Sequence, residues 1–254
     1  MLANQRRERI CQLINEDGHA SVTQLSKLFK VTEVTIRQDL IQLEKEGLLQ
    51  REHGGAHVVK FDSFARNISL PDRGHTEEKI AIAKKAAEYV NEGDTIILDS
   101  GSSITELAKL LVDFNNLTVI TNALNIALIL GVNPNINLEV TGGEFKAPTL
   151  SLTGEHAGAF LKGVHVDKVF LATAGISLKS GLTYPSISDI CVKRAMIESG
   201  DEIFVLADSS KIGSSSFASL GAMSLISHII TDKEISKEKL NQFKEFEVDF
   251  IIAD

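Results

Sequence analysis

The sequence predicts a small winged helix-turn-helix domain followed by an α/β domain with a Rossmann-like parallel sheet. The first 50 residues contain three short segments with helical spacing of apolar residues. From Glu77 onward, short apolar segments alternate with helical ones, which is the pattern of a parallel sheet covered by helices on both faces. A chain of 254 residues, 43% of them hydrophobic, is long enough to build a core in both domains.

Composition excludes several classes of protein. The formal net charge of −8 gives no general signature of a nucleic-acid or membrane surface, so a DNA site would have to be local. Cys11 and Cys191 have no Cys-x-x-Cys spacing, which argues against a disulfide framework or a thiolate metal site and favours the reducing cytoplasm. The charged amino terminus is unlike a signal peptide, and no apolar run approaches the roughly 18 residues of a membrane span. His53 and His57 have ligand-like spacing but no third ligand nearby, so we expect no metal site.

Recognisable signals mark the end of the first predicted helix and the start of the second. The first runs from Arg6 to Asp17 and stops at Gly18. Ser21 and Gln24 form a capping box that begins the second helix, which ends near Lys30. The apolar stripes of the two helices are Ile10, Leu13 and Ile14, then Val22, Leu25, Leu28 and Phe29.

A third helix follows, and its polar face is the informative one. Thr32 is placed to cap it, and Gly47 marks its end. Ile36, Leu40 and Leu43 fall on the inward face at helical spacing. The opposite face presents side chains suited to base edges, thymine methyls and phosphates, namely Val34, Thr35, Arg37, Gln38, Ile41 and Gln42. Two short helices joined by a tight turn, the second with such a face, are typical of a helix-turn-helix.

The segment LLQREHGGAHVV predicts a two-stranded wing with its tip at Gly54 and Gly55. A small helical bundle used for protein contacts is the alternative. Residues 1–57 carry eight Lys or Arg and eight Asp or Glu, so DNA binding requires the cations to gather on one face. We expect the DNA-binding domain to span residues 1–57 and the effector domain to span residues 77–254.

Residues 58–76 lack sustained periodicity and are predicted to be a linker between the domains. An ordered arm packed on one domain or on a second subunit is an equal alternative, because Phe61, Phe64 and Ile68 need to be buried.

Polar residues of the second domain collect where predicted strands end. In parallel α/β sheets, ligands bind at the carboxyl ends of the strands. The residues concerned are Asp99, Ser100, Gly101, Ser102, Ser103, Thr121, Asn122, Gly142, Gly143, Gly175, Asp208, Ser209, Ser210 and Lys211. Each cluster could consist of ordinary caps and loops, but their coincidence favours a binding site.

The segment ILDSGSSITELAKLL could hold a nucleophilic serine or an anion. A nucleophile of the strand-turn-helix type is expected in Gly-x-Ser-x-Gly with a histidine partner, and neither is evident. An anion cradle requires only Gly101, the amides that open the next helix and the hydroxyls of Ser102 and Ser103. The sequence therefore favours a cradle, and phosphate is the anion that fits it.

Several motifs together resemble the DeoR (deoxyribose-operon repressor) family of bacterial transcription regulators. They are RRERICQLI, VTEVTIRQDLIQLEKEGLLQREHGGA, ILDSGSS, TVITN, TGGEF, VKRAM and LADSSK, which span nearly the whole chain. The resemblance implies a winged helix-turn-helix with Thr35, Arg37 and Gln38 in the reading segment, and an effector domain similar to ribose-5-phosphate isomerase. The family usually has Gly-Thr-Thr in the cradle, and serine here keeps the hydroxyls.

The positions of individual residues, together with the family motifs, predict their roles. The expected DNA contacts are Thr32, Val34, Thr35, Arg37, Gln38, Gln42, Arg51, His53 and Gly54. Lys193 and Lys211 match the cationic positions of the family motifs, although either could be a solvated charge. Asp99, Asn122 and Asp208 could hold sugar hydroxyls. Tyr184 and Ser188, which lies beside Asp189, depart from the family pattern and argue against a direct transfer of isomerase chemistry or effector identity.

The function predicted from these features is that of a transcriptional regulator, not an enzyme. We expect a repressor of a sugar-metabolism operon that binds double-stranded operator DNA as a homodimer or homotetramer. A phosphorylated sugar would control it, and no cofactor is expected. The alternative is a sugar-phosphate isomerase or deaminase with an amino-terminal tethering module.

Overall fold

The chain forms two structural units. The computed structural model describes residues 3–45, 48–52, 54–58, 74–244, 246 and 248–254. The first unit holds the described residues up to 58, and the second holds those from 74 onward. Most of the predicted linker, residues 59–73, lies outside the described residues, as do His53 and Gly47.

The first unit contains three helices and a three-stranded antiparallel sheet. The helices are α1 (Ala3–Asp17), α2 (Val22–Phe29) and α3 (Glu33–Lys45), and the strands are β1 (His19–Ser21), β2 (Leu49–Glu52) and β3 (Gly55–Val58), in the order β1-β3-β2. Ile10, Ile36 and Leu40 are buried in one core, as their spacing predicts. The capping box of Ser21 and Gln24 is confirmed, because Gln24 N donates to Ser21 Oγ and the Gln24 side chain accepts from Ser21 N.

Three details of this unit differ from the sequence predictions. β1 was not expected, and it pairs with β3. Leu28 is 60% exposed, whereas Leu25 is buried, so the apolar stripe of α2 is narrower than predicted. Gly55 belongs to β3 instead of the wing tip, and a Cβ there would lie 2.5 Å from the carbonyl oxygen of Ala20. The wing therefore packs its backbone directly against β1.

The second unit is built around twelve strands and six helices in its described part. The strands are β4 (Thr95–Leu98), β5 (Leu117–Thr121), β6 (Ile136–Val140), β7 (Glu144–Lys146), β8 (Ser151–Thr153), β9 (Val166–Ala172), β10 (Gly175–Ser177), β11 (Gly181–Tyr184), β12 (Gly200–Leu206), β13 (Ala218–Gly221), β14 (His228–Asp232) and β15 (Asp249–Ala253). The helices are α4 (Thr76–Ala87), α5 (Ser102–Leu111), α6 (Leu124–Leu130), α7 (Glu155–Phe160), α8 (Ile187–Ser199) and α9 (Lys237–Gln242).

Seven of these strands form the predicted parallel sheet, in the order β15-β14-β12-β9-β4-β5-β6. Ile82 of α4, Leu107 of α5 and Ile126 of α6 are buried in one core. Ala157 of α7 and Val192 of α8 are buried in a second core. The strand order reverses between β4 and β9, and a crevice opens at the carboxyl ends of strands at such a switch point.

Two small antiparallel elements were not predicted from the sequence. One is the hairpin β7–β8, and the other is the sheet β10-β11-β13. Their strands are only three or four residues long, which is too short for alternation of apolar residues to be recognised. Both elements contribute residues to the site described below.

Candidate DNA-reading surface and effector cleft

The exposed face of α3 is the candidate DNA-reading surface. Val34 is 62% exposed, and Arg37, Gln38 and Gln42 are also exposed, whereas Thr35 is partly buried. Thr32 caps the helix as predicted, because its Oγ1 accepts from Thr35 N at 3.2 Å. The structure therefore brings these predicted contact residues to one solvent-facing surface of a capped helix.

Two arginines of this surface already have carboxylate partners within the unit. Arg37 Nη2 lies 2.9 Å from Glu33 Oε2, and Thr23 Oγ1 donates to the other oxygen of Glu33. Arg51 of the wing donates from Nε and from its backbone amide to Glu44 at the end of α3, at 2.7 and 3.0 Å. These hydrogen bonds lower the pKa of Glu44. The pair therefore joins the wing to the reading helix.

A buried ion pair joins the reading helix to α1. Asp39 lies on the inner side of α3, and its two oxygens accept from Nε and Nη2 of Arg6 at 2.6 and 3.3 Å. Both side chains are at most 10% exposed. Sequence reasoning missed this pair because apolar spacing alone defined the inward face of the helix.

The second unit has a cleft at the carboxyl ends of its central strands. It is lined by the loops that follow β4, β9 and β12, together with residues of α4, the hairpin β7–β8, β11 and α8. The lining includes His75, Lys79, Ser100, Gly101, Ser102, Ser103, Lys146, Thr149, Thr173, Tyr184, Asp189, Lys193, Asp208 and Lys211. The cleft therefore lies at the switch point of the sheet.

The serine cluster forms the amino-terminal end of α5 at this cleft. Gly101 is the N-cap, and no described side chain caps the helix. The first amides of a helix have no acceptor within it and lie at the positive end of its dipole. Ser102 is partly exposed at the mouth of the cleft, whereas Ser100 and Ser103 are buried. The geometry suits an anion that accepts hydrogen bonds from these groups.

Gly101 supports the cradle through its backbone. Its φ is +149°, and a Cβ at this position would lie 2.6 Å from the Cβ of Ala172 at the end of β9. A side chain at residue 101 would therefore clash with the strand, before it could reach an anion in the cleft.

Asp99 and Lys193 form a buried ion pair beneath the cleft. The Lys193 ammonium contacts Asp99 Oδ1, and Asp99 Oδ2 accepts from Ala172 N at 3.0 Å. Burial raises the pKa of Asp99, and the positive charge of Lys193 opposes this rise. The pair ties β4, β9 and α8 together, so the charge of Lys193 is compensated inside the protein.

The other lysines of the cleft differ in their partners. Lys146 forms an ion pair with Asp189, whose two oxygens lie 2.8 and 2.6 Å from its Nζ. Lys79 is 8% exposed and donates to the carbonyl oxygen of Gly74. Lys211 has no side-chain hydrogen bond or ion pair with any described residue. Within the described part of the chain, Lys79 and Lys211 are thus the cleft lysines without a carboxylate partner.

Asp208 and Lys211 line the cleft, whereas Ser209 and Ser210, which the sequence grouped with them, are absent from its lining. Ser210 donates to Asp208 Oδ1 from both its hydroxyl and its amide. Seven predicted effector residues, Ser100, Gly101, Ser102, Ser103, Lys193, Asp208 and Lys211, line the cleft, and Asp99 lies beneath it.

The remaining predicted effector residues lie outside the cleft. Thr121 donates to Leu98 O, and Asn122 donates to Leu152 O of β8, so both side chains serve the protein interior. The hairpin β7–β8 thus covers the edge of the sheet after β5. A Cβ on Gly143 would lie 2.7 Å from Thr153 O, and Gly175 is packed equally closely against Ser214 O. Gly142, next to Gly143, is likewise absent from the lining.

Sequence reasoning missed His75, Lys79, Lys146 and Thr149 as cleft residues. Lys79 lies on α4, ahead of every strand of the sheet, and Lys146 lies on the unpredicted hairpin. A lysine within an amphipathic segment gives no sign that it faces a cleft, so no signal in the sequence distinguished these residues.

Among the described residues, no group of three or more His, Cys, Asp or Glu side chains could hold a metal ion. Nor does any described helix have the length and apolar character needed to cross a bilayer.

Comparison with known proteins agrees with both units. A model of the DeoR-like helix-turn-helix domain matches residues 6–61, and a model of the DeoR C-terminal sensor domain matches residues 74–233. The HTH-type transcriptional regulator YulB of Bacillus subtilis (strain 168) is 36% identical over 248 residues, which cover 98% of this chain and 96% of YulB. The glycerol-3-phosphate regulon repressor of Escherichia coli (strain K12) is 32% identical over 234 residues, which cover 91% and 92% of the two chains.

Part of the chain is also similar to solved structures. Ribose 5-phosphate isomerase A from Methanocaldococcus jannaschii aligns with 54% of this chain and 55% of its own, at 16% identity and a TM-score of 0.40. The two family models together span most of the sequence, and the relatives match it almost end to end. The chain therefore belongs to the DeoR family of helix-turn-helix transcriptional regulators.

Proposed function

We propose that this regulator is a repressor of a carbohydrate-metabolism operon and that a phosphorylated sugar or polyol bound in the cleft controls it. The winged helix-turn-helix would read a double-stranded operator through α3, in the cytoplasm, with two or more subunits bound together. The names of relatives support the class of target, since one is a glycerol-3-phosphate regulon repressor and another a putative aga operon transcriptional repressor.

The observation that carries the effector proposal is the combination of a free helix terminus and uncompensated cations in one cleft. The opening amides of α5 offer donors to phosphate oxygens. Lys79 and Lys211 line the same cleft and have no carboxylate partner among the described residues. A nearly buried ammonium without a counterion is costly, so an anionic ligand would supply the missing charge.

The enzyme alternative is less well supported by the carboxylates of the cleft. An isomerase or deaminase needs a carboxylate or another base free to take a proton from the substrate. Asp99 and Asp189 are engaged by Lys193 and Lys146, and Asp208 accepts hydrogen bonds from Ser210. These contacts suit binding better than proton transfer. Incubation with sugar phosphates, monitored by NMR, tests this alternative. Formation of a product would show that the protein is an enzyme and would contradict the proposal of a regulator.

Thermal melting of the 254-residue chain tests the effector proposal. A sugar phosphate or glycerol 3-phosphate at about 100 times its Kd should stabilise the folded protein by about 2.7 kcal/mol. The unphosphorylated parent compound at equal concentration should have little effect. If the parent compound stabilises equally well, the α5 amides serve only to begin a helix.

A matched pair of lysine variants locates the site. Lys211→Gln should weaken binding of the phosphorylated ligand at least tenfold, because it removes a cation that has no partner among the described residues. Lys162→Gln makes the same change of charge at an exposed residue outside the cleft and should leave binding unchanged. Equal effects of the two variants would indicate a general response to net charge.

A further inference from the structure

Tyr184 is a buried wall residue of the cleft with an unusual environment. It is the last residue of β11 and is 3% exposed. The Lys193 ammonium lies 5.3 Å from the centroid of its ring, within cation–π range. The ring is therefore held in place by the same lysine that pairs with Asp99.

The hydroxyl of Tyr184 has no hydrogen-bond partner in the described structure. The hydroxyl of the nearby Thr173 lies within donating distance of the carbonyl oxygens of Gly175 and Thr183, at 3.0 and 3.2 Å, so its proton is directed there. An unpaired buried hydroxyl is costly, and buried polar groups are nearly always satisfied. A ligand oxygen that enters the cleft would accept the hydrogen bond that this hydroxyl lacks.

The charges near the Tyr184 hydroxyl indicate which kind of ligand oxygen it would bind. Burial raises the pKa of Tyr184 well above its usual value, the negative charges of Asp99 and Asp189 raise it further, and the nearby Thr173 hydroxyl opposes the rise. The phenol therefore stays protonated and acts as a donor. Two carboxylates near this hydroxyl disfavour a second anion, so a neutral oxygen is a better acceptor than a phosphate oxygen.

We propose that Tyr184 determines specificity for the carbon chain of the effector by donating a hydrogen bond to one of its hydroxyl, ether or carbonyl oxygens. The phosphate would bind separately, at the amides of α5. This assignment rests on the proposed function, because it presumes a phosphorylated polyol or sugar in the cleft.

Titration calorimetry on three proteins separates the two ends of the ligand. Glycerol 3-phosphate, ribose 5-phosphate and inorganic phosphate are titrated into the native protein, Tyr184→Phe and Tyr89→Phe. Tyr184→Phe keeps the ring over Lys193 and removes only the hydroxyl. It should weaken the better of the two organic phosphates about tenfold, the upper range for one neutral hydrogen bond, and leave inorganic phosphate within about twofold.

Tyr89→Phe is the matched control, because the chain has only these two tyrosines and no tryptophan. Tyr89 packs against Phe204, with ring centroids 5.2 Å apart, and does not line the cleft. This variant should bind all three ligands normally. It also leaves Tyr184 as the sole tyrosine, so near-ultraviolet difference absorption of the variant reports on Tyr184 alone. The organic phosphate should shift the tyrosine band to longer wavelength, and inorganic phosphate should not.

The outcomes distinguish this assignment from the proposed function. If an organic phosphate binds native protein and Tyr184→Phe equally, without a tyrosine shift in Tyr89→Phe, the assignment is wrong and the phosphate site stands. If Tyr184→Phe weakens inorganic phosphate as strongly as the organic ligand, Tyr184 supports the phosphate site itself and the assignment again fails. If neither organic nor inorganic phosphate binds native protein, the proposed function fails and the assignment fails with it.

Discussion

Two arginines of the candidate DNA-reading surface are paired with carboxylates that DNA could replace. Arg37 is paired with Glu33, and Arg51 with Glu44, on exposed or half-exposed surfaces. Exposed ion pairs of this kind contribute little to stability, so a DNA phosphate or a guanine edge can displace the carboxylate at small cost. The pairs also reduce the positive charge offered to DNA of any sequence. Gln38 has no carboxylate partner in the part of the chain that the structure describes, so it can contact DNA without displacing one.

We predict that Gln38→Ala and Arg37→Ala each weaken operator binding by about 1 to 3 kcal/mol, the usual value of a good base contact. The fold should be unchanged because both side chains point away from the core of the first unit. Electrophoretic mobility shifts with the native operator measure the first effect, and circular dichroism checks the second. Unaltered shifts in both variants would show that α3 does not read DNA.

The Asp99–Lys193 pair gives a prediction for stability. Asp99→Ala leaves the Lys193 ammonium buried without a counterion and removes the acceptor of Ala172 N. Loss of one partner of a buried pair should lower the free energy of unfolding by about 3 to 5 kcal/mol. Urea denaturation followed by circular dichroism measures this change. The double variant Asp99→Ala/Lys193→Met should recover part of the loss, and no recovery would mean that the ion pair is not the cause.

At the scale of elements, α5 begins at the cleft because Gly101 lets the chain turn sharply after β4. The Thr105 side chain supports this turn by donating to Gly101 O at 2.8 Å, and Asn125 donates to Thr105 Oγ1. The start of α5 is thus positioned by α6 as well as by its own strand. The cradle depends on packing between elements and not on the serine hydroxyls alone.

We predict that Gly101→Ala destabilises the second unit because its Cβ meets that of Ala172 at 2.6 Å and because φ is positive. Ala172→Gly in the same chain should restore part of the melting temperature by removing the clash. Differential scanning calorimetry of both variants and of the pair measures the coupling. Additive effects would show that the two residues do not collide.

The elements themselves could largely be predicted from the sequence, whereas half of the site could not. The capping box at Ser21 and the apolar strands depend on neighbours in sequence, and spacing reveals them. Lys79 and Lys146 lie 67 positions apart and meet at the cleft only because of the sheet order. Asn122 was predicted as a cleft residue from its place after β5, but a hairpin too short to predict covers it. Local pattern cannot supply these contacts.

At the scale of the whole molecule, one reading helix recognises only half of an operator. We therefore predict a dimer or tetramer and an operator with a repeated half-site. Light scattering coupled to size-exclusion chromatography measures the mass of the assembly, and footprinting shows the spacing of half-sites. A monomer bound to a single unrepeated site at micromolar concentration would contradict this prediction.

The placement of most polar cleft residues outside the two cores has a consequence for the divergence of such regulators. The polar side chains of the cleft lie mainly on loops, on the hairpin β7–β8 and at helix ends, whereas Phe170 and Phe204 are buried within the sheet. Duplicated genes could therefore accumulate changes at positions such as Lys211 and Thr149 while the strands of the parallel sheet stay the same. A new inducer would then require few mutations, and the ancestral scaffold would carry it without refolding.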